Sequence, residues 1–195
     1  MKAYYHARAR EYDDWWLGHN LYADKHRPGW EEERRQLERS IEGLPPKRTL
    51  DVACGTGFIT RRLRGEVTGL DQSDAMLAVA HEQAPGATFV QGDALGLPFD
   101  DGAFERVFSS YFYCHLEEDD RVRFVAEARR VARELVIVGS RLQPGEEAAR
   151  WDERVLNDGT RWQVFKRFFE PEALARELGG RVLHESHYFV MVGSS

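Results

Sequence analysis

The sequence predicts an α/β domain in which a mostly parallel sheet is covered by helices on both faces and ends in an antiparallel edge. Three observations predict it. Between residues 49 and 138, short apolar segments alternate with helical ones at the spacing of βαβ units. The segment Leu135-Val136-Ile137-Val138 shows no polar alternation, as a strand buried on both faces requires. Residues 181–186 and 187–192 both read as strands with almost no connection between them. A parallel crossover needs about a dozen residues, so this pair runs antiparallel.

The elements follow in order. Residues 4–42 read as helical: Tyr5, Tyr12, Trp15 and Trp16 recur at helical spacing, and Trp30, Leu37 and Ile41 continue among charges. His26-Arg27-Pro28-Gly29 divides this leader into two helices, and Gly43-Leu44-Pro45-Pro46-Lys47 ends it in a turn. Residues 49–53 are the first strand, followed by a short helix at 58–64, and residues 66–71 are the second. Ser73 then caps a helix to Gln83 that buries Met76, Leu77 and Ala80. Residues 87–91 and 104–109 are the third and fourth strands. The helix at 117–133 opens with Asp119 and Asp120 and closes with Arg129, Arg130 and Arg133, as the helix dipole favours. After the fifth strand, residues 146–157 read as helical, 161–169 as strand and 172–178 as helical.

Size and charge narrow the function. A chain of 195 residues suffices for one domain with a small elaboration. Its 27 Lys and Arg against 33 Asp and Glu leave a net charge of −6. That is the wrong sign for a protein that holds nucleic acid by neutralising phosphates, so no nucleic-acid partner is expected. No apolar run approaches the ~18 residues of a membrane span. The opening Met1-Lys2-Ala3-Tyr4-Tyr5-His6 has no apolar stretch of signal-peptide length, so a cytoplasmic protein is expected. Cys54 and Cys114 make no disulfide framework, and nothing near them has zinc-ligand spacing, so no metal is expected.

The most informative stretch is Leu50-Asp51-Val52-Ala53-Cys54-Gly55-Thr56-Gly57-Phe58. A strand running into Gly-x-Gly and a helix presents backbone N–H groups that a ligand can approach with no Cβ in the way. Asp71 ends the second strand beside this loop, where a carboxylate can accept two hydrogen bonds from a ribose diol. Asp93 follows the third strand in Gln91-Gly92-Asp93-Ala94-Leu95, where a short acidic side chain meets an adenine amino group. Either Asp alone is a common turn former. Both together beside a glycine loop point to a nucleoside. A dinucleotide fingerprint wants a small residue where Thr60 stands, and neither a P-loop nor a pyrophosphate clamp is present. What remains is an adenosine ligand without phosphates, whose other end is an amino acid. Asp51 can receive its ammonium directly or through water.

These segments resemble the class I S-adenosylmethionine-dependent methyltransferases: Asp51 to Gly57, Gly69-Leu70-Asp71 to Leu77, and Gly92-Asp93 to Phe104. Within that class they are similar to the small-molecule branch related to ubiquinone- and menaquinone-pathway enzymes. The resemblance covers residues 48–140 and departs at Ala53, which stands in place of the first loop glycine. The leader Tyr4-Tyr5-x-x-Arg8-Ala9-x-Glu11-Tyr12-Asp13 resembles that branch's N-terminal lid.

The resemblance implies a Rossmann-like, doubly wound, mostly parallel seven-stranded sheet with an antiparallel edge strand and an N-terminal helical lid. It implies a single domain over 1–195, with the lid at 1–46, the cofactor core at 47–140, and a substrate-side insertion with the final strands at 141–195. S-adenosylmethionine is the implied cofactor and S-adenosylhomocysteine its product. Ala53, Gly55, Thr56 and Gly57 would border the methionine part, Asp71 hold the ribose hydroxyls, and Gln72 and Met76 flank the adenine. Asp93, Ala94 and Leu95 would meet the adenine edge, Ser109 close the site, and Tyr4 and Tyr12 cover it from the lid.

The acceptor side is Ser110-Tyr111-Phe112-Tyr113-Cys114-His115, after the fourth strand. His115 is the candidate general base, needed only where the acceptor keeps its proton, and Tyr111 the candidate pocket wall. The expected activity is methyl transfer to a small-molecule acceptor by in-line displacement. A methyltransferase acting on nucleic acid or protein is a rival. Its amino-methylating branches carry Asn/Asp-Pro-Pro-Tyr where this chain has Ser109-Ser110-Tyr111-Phe112. A non-catalytic S-adenosylmethionine-binding regulatory module is the other rival.

Overall fold

A computed structural model describes residues 2–23 and 25–195. Its strands are β1 (Thr49–Val52), β2 (Val67–Asp71), β3 (Thr88–Gln91), β4 (Arg106–Ser110), β5 (Glu134–Ser140), β6 (Ala149–Val155), β7 (Arg161–Arg167), β8 (Arg181–Glu185) and β9 (Phe189–Ser194). Seven of them form one sheet in the order β3-β2-β1-β4-β5-β9-β8. β1 to β5 pair in parallel, and β9 runs antiparallel to both β5 and β8. The sheet therefore closes in the antiparallel pair that the short connection before residue 187 demands, with the reversed strand next to the edge.

The helices are α1 (Lys2–Arg8), α2 (Asp14–Leu17), α3 (Trp30–Glu42), α4 (Asp74–Gln83), α5 (Glu118–Val131) and α6 (Pro171–Leu178). α5 buries Phe124, Ala128 and Val131, an apolar stripe of helical period laid on the sheet. α4 starts where the Ser73 hydroxyl accepts the Met76 N–H at 3.3 Å. α6 starts where the Glu170 carboxylate accepts the Ala173 N–H at 3.3 Å, and it stops at Gly179 in the left-handed region. Beneath them Val107, Phe108, Val136, Ile137 and Val138 are fully buried.

The chain order reverses between β1 and β4, and at such a switch point the loops leave the strand ends in opposite directions and open a crevice. The N-terminal helices lie over that crevice. Trp16 is buried beneath them, stacked on Phe58 at 5.3 Å, and its carbonyl accepts the Trp30 indole N–H at 2.9 Å.

Three expectations are corrected. Residues 149–155 form strand, not helix: β6 and β7 make a separate two-stranded antiparallel ribbon. Its alternation is visible in burial, with Arg150, Asp152 and Arg154 turned inward and Trp151 and Glu153 exposed. Charged residues on the inward face hid the two-residue period. The helix expected at 58–64 is only a 3-10 turn over Thr60–Arg62. The leader breaks into more pieces than two, because Gly18 also takes a left-handed conformation and ends α2.

Gly69 in β2 has no room for a side chain: a Cβ there would lie 2.6 Å from the Phe89 ring and 2.9 Å from Cys54 Sγ. Gly69→Ala is expected to lower stability by about 1–3 kcal/mol through overpacking. Thermal or urea unfolding checks this, and an unchanged midpoint would contradict the packing described.

Candidate active site

The loop after β1 turns sharply. Ala53, Gly55 and Gly57 all have positive φ, at 57°, 57° and 77°. For Ala53 that conformation costs about 1–2 kcal/mol relative to a glycine. The loop is held by neighbours: the Cys54 N–H donates to the Leu70 carbonyl at 3.0 Å. A Cβ on Gly57 would lie 3.2 Å from Ala80 Cα, so α4 packs directly against the loop.

Two buried carboxylates flank it. Asp71 accepts the Gly55 N–H on Oδ2 at 3.0 Å and the Ser73 N–H on Oδ1 at 2.9 Å. Burial raises its pKa, against the opposing pull of those N–H groups. Asp51 is 1% exposed and accepts the Thr60 hydroxyl on Oδ2 at 2.7 Å. Its Oδ1 has no hydrogen-bond partner among the described residues. Burial first, and then the charge of Asp71, push the Asp51 carboxyl up to about 7.

A cavity of about 220 Å³ opens above these groups. Ala53, Gly55, Leu70, Asp71, Gln72, Met76, Gly92, Asp93, Ala94 and Leu95 wall it from the ends of β1, β2 and β3. Ser110, Tyr111, Phe112, His115, Leu116 and Asp120 wall it from the end of β4 onward, and Tyr5 and Tyr12 from the N-terminal helices. Among the described residues three carboxylates line it, Asp71, Asp93 and Asp120, and no Lys or Arg does. Asp93 turns one oxygen to the Leu95 N–H at 2.9 Å. His115 donates Nδ1–H to the Phe165 carbonyl at 2.6 Å, which leaves Nε2 as an acceptor. Burial drives its imidazole pKa down to about 3, so the ring is neutral near pH 7. Tyr111 sits at φ 56°, and its hydroxyl has no hydrogen-bond partner among the described residues. Burial keeps that phenol protonated well past its ordinary range.

Five expected site residues lie outside the cavity wall. Ser109 is fully buried and donates to the Val52 carbonyl at 2.9 Å, while its neighbour Ser110 lines the cavity. A one-residue step along a strand reverses the face, so Ser110, expected on the acceptor side, meets the cavity and Ser109 does not. Thr56 spends its hydroxyl on Asp13 Oδ1 at 2.6 Å, Gly57 is pressed against α4, and Asp51 lies beneath the loop. Tyr4 lines a smaller neighbouring nook, where its phenol oxygen accepts from Arg8 at 3.0 Å. Sequence reasoning missed Asp13, whose second oxygen accepts the Gln83 amide at 2.6 Å, so that one carboxylate clasps the N-terminal segment to both the loop and α4. It also missed the walls Leu70, Gly92, Leu116 and Asp120. Leu70 and Gly92 adjoin the two expected aspartates, a signal that could have found them.

The Asp51 environment carries a sign. Its folded pKa is raised, so its contribution to stability is complete below 3.8 and is lost as pH rises through about 7. Asp51→Asn keeps an acceptor for Thr60 and removes the buried charge. The variant is expected to unfold at higher temperature than the wild type above pH 7, with the gap closing toward acid. Paired melting curves across this range check it, and a pH-independent gap would contradict the assignment.

Comparison with known proteins agrees with this geometry. A family profile described as "Methyltransferase domain" matches residues 50–137, from β1 through β5. A demethylmenaquinone methyltransferase of Thermotoga maritima is 35% identical over 103 residues, which is 50% of this chain and 44% of the relative. A phthiotriol/phenolphthiotriol dimycocerosates methyltransferase of Mycobacterium leprae is 35% identical over 151 residues, 72% of this chain and 50% of the relative. The chain spans about half the length of these curated relatives. Among solved structures, one described as a DhpI-SAM-HEP complex has a TM-score of 0.75 at 26% identity, covering 99% of this chain and 94% of that one. The sheet order and these matches together show that residues 50–137 are similar to a methyltransferase domain and that the chain shares its fold with a protein solved in complex with SAM.

Proposed function

We propose that this chain binds S-adenosylmethionine in the cavity at the switch point and transfers its methyl group to a small-molecule acceptor by in-line displacement. The donor set supports the fit. Each Asp71 oxygen accepts one backbone N–H and keeps a lone pair for a ribose hydroxyl, and Asp93 keeps one oxygen for an exocyclic amine. The unpartnered Oδ1 of Asp51 lies outside the wall and would reach an amino-acid ammonium through a bridging water. Both groups of contacts are acceptors aimed at a ligand rich in donors and positive charge, and the absence of Lys and Arg from the walls agrees.

In this reading Gln72 and Met76 flank the base, and Ala94 and Leu95 meet its edge. Ala53 and Gly55 leave room for the methionine part, while Thr56, Gly57 and Ser109 hold the loop in shape rather than touch the ligand. Residues 1–46 act as a lid: Tyr12 lies over Gly55, with 3.7 Å between its ring and the position a Cβ would take. Tyr5 and Tyr12 supply ring faces to a sulfonium, worth ~0.5–2 kcal/mol.

The cofactor supplies a methyl group on a sulfonium, already activated toward displacement. The chain's own task is then to align the nucleophile and keep water away, so positioning dominates the rate. Ser110, Tyr111, Phe112 and His115 form the acceptor wall. A neutral imidazole with its pKa near 3 is too weak a base to ionise an alcohol or phenol beforehand. Through Nε2 it orients the acceptor's X–H and takes the proton late, once methylation has made that proton strongly acidic. The demethylmenaquinone and phthiotriol methyltransferases among the relatives favour a small-molecule acceptor here too.

The observation that carries this reading is the Asp71 carboxylate, held by two backbone N–H groups at the cavity wall. Asp71→Ala is expected to weaken S-adenosylhomocysteine binding by about two to four orders of magnitude. Calorimetric titration of a variant with native circular dichroism tests it, and an unchanged dissociation constant rejects the reading.

A further inference from the structure

Behind the acceptor wall lies a second, smaller nook of about 30 Å³, sharing Tyr5, Tyr12, Tyr111 and His115 with the main cavity. Its chemistry is the reverse of the first. Among the described residues Arg8, Arg154 and Lys166 line it, and no carboxylate does. Lys166 is 8% exposed and has no hydrogen-bond or ion-pair partner among the described residues; its ammonium lies 5.0 Å from the Phe168 ring and 5.8 Å from the Trp15 ring. Arg8 is equally buried and donates to the phenol oxygens of Tyr4 and Tyr22 at 3.0 and 3.2 Å. Those oxygens act as acceptors, which leaves both phenolic O–H groups to donate elsewhere. Arg154 bonds Asp152 at 2.9 Å, but Arg150 shares that carboxylate and Asp152 does not line the nook.

Burying most of a lysine without a salt bridge is costly, and a well-packed apolar residue would serve stability better. Burial holds Lys166 down to about 8, against a smaller opposing pull from Asp152. In a chain whose net charge is −6, three cations and two phenol donors converging on one nook describe a lining suited to an anion. The main cavity, lined by three carboxylates, would repel the same group.

We infer that the methyl acceptor bears a compact anion, a carboxylate or phosphoryl group, seated among Lys166, Arg8 and Arg154 with its nucleophile turned toward His115. This rests on the methyl-transfer reading above and adds the substrate's charge to it. The shared walls Tyr111 and His115 make the connection. His115 is bonded to the carbonyl of Phe165, the residue before Lys166, so the strand that carries Lys166 also orients the ring beside the nucleophile.

The test uses S-adenosylhomocysteine-loaded protein titrated with inorganic phosphate, acetate and neutral acetamide, in the wild type and in Lys166→Met. Methionine matches the stem and removes the buried charge, so the variant is expected to fold and to melt no lower than the wild type. The expected result is anion binding at tens of millimolar or below, acetamide inert, and at least about a tenfold loss in K166M with S-adenosylhomocysteine affinity within about twofold of wild type. Preference between phosphate and acetate identifies the anion. Silence from both anions, equal response to acetamide, or unchanged anion binding in K166M overturns the inference while leaving methyl transfer standing. A K166M loss confined to S-adenosylhomocysteine also overturns it, since the nook would then hold the cofactor's own carboxylate. Failure of the wild type to bind S-adenosylhomocysteine removes the reading beneath it.

Discussion

The site depends on one carboxylate bridging two strand ends. Asp71, last residue of β2, receives the Gly55 N–H from the loop after β1 and the Ser73 N–H from the start of α4. Those two bonds fix the loop, the helix start and the carboxylate relative to one another. They also leave Asp71 buried at a cost, because its charge is stripped of water and only partly compensated. Asp51 sits behind it in worse circumstances, with one oxygen unbonded and a second negative charge close by. A fold selected for stability alone has little use for such a pair. In the function proposed above, a ligand with hydroxyl, amine and ammonium groups would supply the missing partners.

The same economy governs the other wall. His115 is neutral because it is buried and its Nδ1–H is committed to Phe165; Lys166, one residue along β7, is buried without a counter-charge. The two cavities thus divide electrostatic labour across a partition of Tyr5, Tyr12, Tyr111 and His115. One side offers carboxylates and the other offers cations. The N-terminal segment completes both, clasped to the loop and α4 through Asp13.

Much of this was legible in the chain. The parallel strands announced themselves because burial on both faces forces continuous apolar runs, as in Val136 to Val138, and the turn residues Gly55, Gly57 and Ser73 mark where they end. Asp71 and Asp93 could be found because a carboxylate directly after a strand, beside a glycine loop, has few other uses. What escaped had weaker local signals. The β6–β7 ribbon turns Arg150, Asp152, Arg154 and Lys166 inward, so its two-residue period is one of charge rather than hydrophobicity. Ser109 and Ser110 are chemically identical neighbours, and only the pleat decides which meets the cavity. Asp13 acts on Thr56 and Gln83, 43 and 70 residues away, a relation no local pattern encodes.

The most direct measurement is a crystal structure of the protein with S-adenosylhomocysteine bound. The account predicts both ribose hydroxyls on the Asp71 carboxylate, the purine between Met76 and Ala94, and the thioether sulfur open toward Ser110 and His115. A ligand bound elsewhere, or one seated in the crevice with its diol turned away from Asp71, would contradict it.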